Sequence, residues 1–153
     1  MDLTQSIIEA TTEIFESMLM MEAIPQPPLT EEVHNFKCSV SGIVGLAGTC
    51  KGMISIHTPD SVAMALTGAF LGMEVEEIDE DVKDAIGELS NMLAGSIKEA
   101  LSENGKDIKL SIPSTICGDE YSINCMSQAN WVTVPFEIPD GQFLVELQIQ
   151  IEE

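Results

Sequence analysis

Basic side chains are scarce in this sequence. Against 26 Asp and Glu, its 153 residues include 6 Lys and Arg, a formal net charge of −20. Such a chain repels a phosphate backbone or an anionic lipid surface, which argues against nucleic-acid and membrane partners. A partner with a basic face would instead be steered in. Long apolar runs are also missing, and nothing reaches the ~18 residues that cross a bilayer. The opening "MDLTQSIIEATTEIF" has acids from the start and lacks the basic stretch of a secretory leader, so a cytoplasmic location is the expectation. Cysteine pairs are absent too. Cys38, Cys50, Cys117 and Cys125 form no C-x-x-C, and His34 and His57 lie near no cysteine cluster, which speaks against zinc. The four thiols are expected to be small buried hydrophobes, reduced and inert. The lone tryptophan, Trp131, is expected to pack within a strand, and methionines such as Met18, Met20, Met73 and Met92 to fill core or interface.

What is present is ordinary globular material, 44% hydrophobic and 21% charged, enough for one domain over residues 1–153 with a real core. Leu3, Ile7, Ala10, Ile14 and Met18 recur at helical spacing and predict a first helix over about 3–21, ended by "IPQPPL". In "FKCSVS" the alternation places Phe36, Cys38 and Val40 on one face of a strand. The glycines of "GIVGLAGTCKG" suggest a turn or bulge before a returning strand, "MISIH". Asp60 is read as the cap of a second helix that Gly72 stops. The third helix has acids in its first turn and a stripe of Val82, Ile86, Leu89, Leu93, Ile97 and Leu101, and closes at Asn104 and Gly105. Beyond it Ile108, Leu110 and Ile112 alternate, "YSINCM" is a short strand, and two alternating runs flank "PDG" as a long hairpin. The fold class is α+β, a mainly antiparallel sheet packed against long helices.

The third helix contains "IGELSNMLAG", Ile86 to Gly95, with three residues that a helix interior disfavours. Each glycine costs about 1 kcal/mol against alanine. At about 100° per residue, Glu88 and Asn91 lie some 60° apart on one face, roughly opposite the apolar stripe. Gly87, Asn91 and Gly95 step by four, leaving bare helix surface one turn on either side of the carboxamide. A carboxamide donates and accepts hydrogen bonds and can hold and aim a water, while a carboxylate one turn away can pair with a lysine. Small residues at this spacing also serve close helix packing within one fold, and that reading stays open.

In its context, "DEDVKDAIGELSNMLAGSIK" resembles the signature helix of the CheC/CheX/FliY group of chemotaxis phosphatases, with Glu88, Leu89, Asn91, Met92 and Gly95 on the E-[LIF]-x-N-[MI]-x-x-G pattern. "IIEATTEIFESML" and "AFLGMEVEEIDEDV" are similar to CheX-type members. The resemblance implies a CheC/CheX-like pseudo-repeat of helix plus strand pairs. It implies hydrolysis of the phospho-aspartate of a phosphorylated CheY-like response regulator, with Asn91 positioning the attacking water and Glu88 binding a regulator lysine. Gly87, Met92 and Gly95 would meet the partner. No cofactor of its own is implied, since magnesium is supplied in the partner's active site. A homodimer paired through its sheets is implied as well. Where a CheC member has a second motif, this chain has Glu9 and then Thr12, so one active motif is expected. A non-catalytic binding module for a regulator or motor switch, and a purely structural acidic domain, are the rival readings.

Overall fold

The computed structural model describes residues 2–102, 107–123 and 129–151. The chain opens with α1, Leu3–Ile14, where the Asp2 carboxylate accepts from the Gln5 amide and so satisfies one of the free donors of the first turn. A π-helical turn, Phe15–Leu19, continues α1 and ends at Met20, which is left-handed at φ 53°. The wider turn shifts the phase of the buried stripe. Phe15 and Leu19 go inside, and Met18, expected in that stripe, is turned out to 48% exposure. Phe15 then stacks on Phe143 of the sheet with centroids 4.9 Å apart.

Two-residue β1, Ile24–Pro25, leads to a long strand, β2, Asn35–Gly48, and its antiparallel partner β3, Cys50–Pro59. The turn expected in the glycine-rich stretch lies at its far end. β2 runs straight through Gly42 and Gly45 and reverses only after Gly48, at φ 110°. Near its start, Cys38 (φ 46°) and Asp119 of β5 (Ser114–Ser122) are both left out of an otherwise constant register, in which Lys37 opposes Glu120 and Ser39 opposes Gly118. The left-handed residue turns the side chains over without shifting the register, so Phe36, stacked on His57, and Val40 lie on opposite faces rather than one, and Cys38 is exposed rather than buried. Cys50 is buried as expected, Cys117 is half-buried, and Cys125 lies outside the described residues.

α2, Asp60–Leu71, begins one residue after its cap position. Pro59 holds that position without a side-chain bond, so Asp60 is the first helical residue and not the cap. Gly72, left-handed at φ 68°, terminates it as anticipated. α3, Glu80–Leu101, is capped by the Asp79 carboxylate, which accepts from the Val82 amide. Val82, Ile86, Leu89, Leu93 and Ile97 are fully buried along its stripe, while Leu101 is partly covered. The expected stop at Asn104 and Gly105 falls outside the described residues. The remainder is strand: β4, Ile108–Leu110; β5, Ser114–Ser122; β6, Asn130–Ile138; and β7, Gly141–Ile151. The β6–β7 hairpin turns in two residues at Pro139 and Asp140, with Ile138 opposite Gly141.

All pairings are antiparallel, in the order β1-β6-β7-β3-β2-β4, with β5 also on β2. The class is α+β, and a helix followed by strand pairs recurs along the chain. α3 lies over β2, β3 and β5, flanked by α1 and α2. The helix side of the sheet is hydrocarbon: Val40, Val44, Ile54, Ile56, Val145 and Leu147 are each fully buried. Strand alternation places a polar strip on the other face. There Thr133 donates to Glu146 at 3.0 Å, His57 Nε2 stands 3.5 Å from Glu146, Nδ1 is 2.7 Å from Ser41 Oγ, and Ser41 Oγ is 2.7 Å from the Tyr121 hydroxyl. Burial pushes the Tyr121 phenol above its ordinary pKa.

Candidate functional site

α3 is held against β2 by the absence of a side chain at Gly42. A Cβ there would stand 2.9 Å from both the Ile86 carbonyl oxygen and Ser90 Oγ. The close approach buries Ser90, whose hydroxyl donates to the Gly87 carbonyl at 2.6 Å. With Ile86, Leu89, Ser90 and Leu93 all turned to the sheet, the helical period leaves Glu88 and Asn91 on the outer side. Glu88 is exposed, and Asn91 is half-buried. Among the described residues, no ion pair or side-chain hydrogen bond engages either head group.

The two flanking glycines differ. A Cβ at Gly95 would meet nothing within 4 Å, so the surface one turn beyond Asn91 is open, as its spacing predicts. Gly87 is buried, and a Cβ there would lie 3.3 Å from the Thr115 methyl and 3.8 Å from Pro113. The expectation of bare surface at Gly87 is therefore corrected. The missing side chain there admits the start of β5, a contact between residues 28 apart that no local pattern announces. Met92 is half-buried and leans on the core. Lys83 donates to Glu80 at 3.1 Å, and that hydrogen bond raises its pKa above the ordinary lysine value. Its charge is thus engaged near the start of α3.

Glu88 and Asn91 form a ridge. A cavity of about 640 Å3 lies elsewhere, lined by Thr12, Glu16 and residues 20–25. A ridge of this kind inserts into a partner's cleft more readily than it encloses a small molecule. At the corresponding place on α1, Thr12 donates back to the Ile8 carbonyl at 2.8 Å and Glu9 accepts from Gln5 at 3.2 Å, so both head groups are engaged by their own helix. Among the described residues, no three potential ligand side chains gather where a metal ion could sit. The sequence reading missed the Ser41, His57 and Glu146 set, which has the membership of a hydrolytic triad. Ser41 is fully buried on the sheet face away from α3, so it has no access to a substrate and acts as a cross-strand brace.

The chain is similar to proteins of one known family. The model of the family described as chemotaxis phosphatase CheX matches residues 40–137. The CheY-P phosphatase CheX of Thermotoga maritima is 26% identical over 122 residues, covering 79% of each chain. A chemotaxis protein CheX from Desulfovibrio desulfuricans is 32% identical and superposes with a TM-score of 0.86 over 98% of this chain and all of that one. CheX in a complex with CheY, BeF3 and Mg2+ from Borrelia burgdorferi is 26% identical, with a TM-score of 0.79 over 97% of this chain and 98% of that one. With well over half its length matched by the family model and nearly all of it by solved relatives, the chain belongs to the CheX family of chemotaxis phosphatases.

Proposed function

We propose that this chain, working as one domain over residues 1–153, hydrolyses the phospho-aspartate of a CheY-type response regulator. Asn91 enters the regulator's active site and holds the attacking water in line with phosphorus, while Glu88 pairs with the lysine beside the phosphoryl group. The observation that carries this reading is the joint outward projection of Glu88 and Asn91 from a helix whose other side is locked to the sheet, with open space at Gly95. The names of the Thermotoga relative and the Borrelia complex support CheY as the type of partner.

The chemistry asks little more. An acyl phosphate has a carboxylate leaving group, which departs without an acid, so placing the water supplies most of what the protein must add. A carboxamide can accept one water proton and present an oxygen lone pair to phosphorus. On this reading the magnesium ion is supplied in the regulator's site, in keeping with the Borrelia complex of CheX with CheY, BeF3 and Mg2+. The same reading places the protein in the cytoplasm and pairs it with a second copy through a sheet edge. Among the described residues β5 pairs with β2 alone, and its outer edge offers nine residues of strand.

The test is decay of a purified phosphorylated CheY-type regulator with wild type and Asn91→Ala side by side. The variant is expected to lose about 10²-fold or more in turnover while regulator binding is nearly intact, as for a contact made in the transition state. Near-normal turnover would refute the assignment. Binding without any acceleration by the wild type would make the chain a docking module instead.

A further inference from the structure

Ile112 is a second surface feature that the strand pattern does not anticipate. Alternation with Ile108 and Leu110 predicts it to be buried, yet it is 85% exposed. The pairing explains why. β4 and β5 are successive parts of one partner strand to β2: Gly48 opposes Ile108, Leu46 opposes Leu110, and Ile43 opposes Ser114. Ser111 sits beside Gly45, donating its amide to the Gly45 carbonyl at 3.0 Å and accepting the Gly45 amide on its hydroxyl at 2.8 Å. Ile112 and Pro113 are therefore left together opposite Val44. One extra residue in a strand makes a bulge, and a bulge re-aims a side chain. Pro113 packs towards Gly87, and Ile112 is extruded.

Its height along α3 follows from two fixed points. Gly87 faces Pro113 and Thr115, and the Ser102 hydroxyl donates to the Asp107 carboxylate. Between Gly87 and Ser102 the helix rises about 22 Å. From Asp107 to the level of Ser114 the strand covers roughly 20–23 Å, so the two tracks run side by side and antiparallel. Asn91 lies about 6 Å up the helix from Gly87. Two extended residues back from Ser114, also about 6 Å, is Ile112. The backbone there is rigid: the bonds to Gly45 anchor Ser111, the Ser111 hydroxyl also donates to the Ile112 carbonyl at 3.0 Å, and the following proline confines Ile112 to extended conformations. Singly exposed hydrophobic residues are common on protein surfaces. This one is held rigidly at the level of the carboxamide.

We infer that Ile112, pushed out by the bulge between β4 and β5 to the level of Asn91, is the apolar contact that seats the regulator's receiver domain over the carboxamide and sets its affinity. The inference rests on the phosphatase reading of Glu88 and Asn91. A polar ridge alone discriminates poorly among receiver domains, all of which present a lysine beside the phosphoryl group; a fixed branched hydrocarbon beside it demands a matching apolar surface.

The experiment measures steady-state dephosphorylation of a CheY-type receiver domain, phosphorylated with a small acyl phosphate. It compares wild type, Ile112→Ala, Ile112→Ser and Asn91→Ala. Because Ile112 is exposed, its variants leave the fold intact. Both Ile112 variants are expected to raise KM about ten-fold with kcat within about two-fold, the pattern of lost uniform binding. Asn91→Ala is expected to lose kcat instead. An unchanged KM in the Ile112 variants, or a fall in kcat alone, overturns the inference while the loss in Asn91→Ala keeps the phosphatase reading in place. Undiminished turnover in Asn91→Ala overturns that reading whatever Ile112 does. A raised KM accompanied by a changed association state of the Ile112 variants in sedimentation makes Ile112 a contact between copies and also overturns the inference.

Discussion

An added methyl group at Gly95 would meet nothing within 4 Å, whereas at Gly87 it would press on Thr115 and Pro113. The same residue type thus carries two different constraints one turn on either side of Asn91. Gly95 has ordinary helical geometry and no steric need to be glycine. Gly95→Ala is therefore expected to stabilise the protein by about 1 kcal/mol, the intrinsic helix preference. That should appear as a rise of roughly 2–4 °C in the thermal midpoint. Gly95→Leu should fold equally well and yet block approach to Asn91, cutting phosphatase turnover. Full turnover in the leucine variant would show that the opening is not used. Glu88 and Asn91 were legible in the sequence, because helical period alone fixes which residues share a face. The role of Gly87 was not, because it depends on Thr115 of a strand that meets it 28 residues later. Cys38 and Ile112 escaped for related reasons: a left-handed residue at Cys38 and one extra residue at Ile112 each invert the alternation, and nothing in the local pattern marks either place.

Among the elements, α3 is the one on which the site depends, and Gly42 on β2 sets its height above the sheet. Gly42→Ala would push the Ile86 turn and Ser90 off the strand, since the new carbon would sit 2.9 Å from backbone oxygen. Overpacking of this kind costs about 1–3 kcal/mol. Chemical denaturation of Gly42→Ala is expected to show that loss, and a midpoint equal to wild type would mean α3 rides higher than described. α3 and the β6–β7 hairpin could be read from sequence because each has an uninterrupted period and a clear stop: Asp79 before one, Pro139 to Gly141 within the other. β5 was missed over most of its length. Its Gly118, Asp119 and Glu120 give no strand signal, and edge position rather than propensity makes it a strand. The π turn after α1 was equally silent, since Phe15 and Leu19 are chosen by the stack of Phe15 on Phe143 at the far end of the chain.

At the scale of the whole molecule the net charge of −20 surrounds the ridge. The acids crowd the approach to it: Glu80, Asp81 and Asp84 precede Glu88 on the exposed side of α3. A regulator that offers a lysine to Glu88 is drawn in by this field, and salt screens it. The association rate of the phosphorylated regulator, followed by stopped flow, should fall several-fold as ionic strength rises from about 0.05 to 0.5 M. A rate that climbs with salt would mean that two acidic bodies are being relieved of their repulsion. The far side of the sheet has a different consequence. The strip from Thr133 through Glu146, His57 and Ser41 to Tyr121 joins five strands by side chains that meet only in one alignment. If β7 or β3 slid by one position, the Glu146 carboxylate or the His57 imidazole would be thrust among the valines and isoleucines beneath the helices. The polar strip therefore penalises misregistered sheets and favours the one alignment in which its side chains meet.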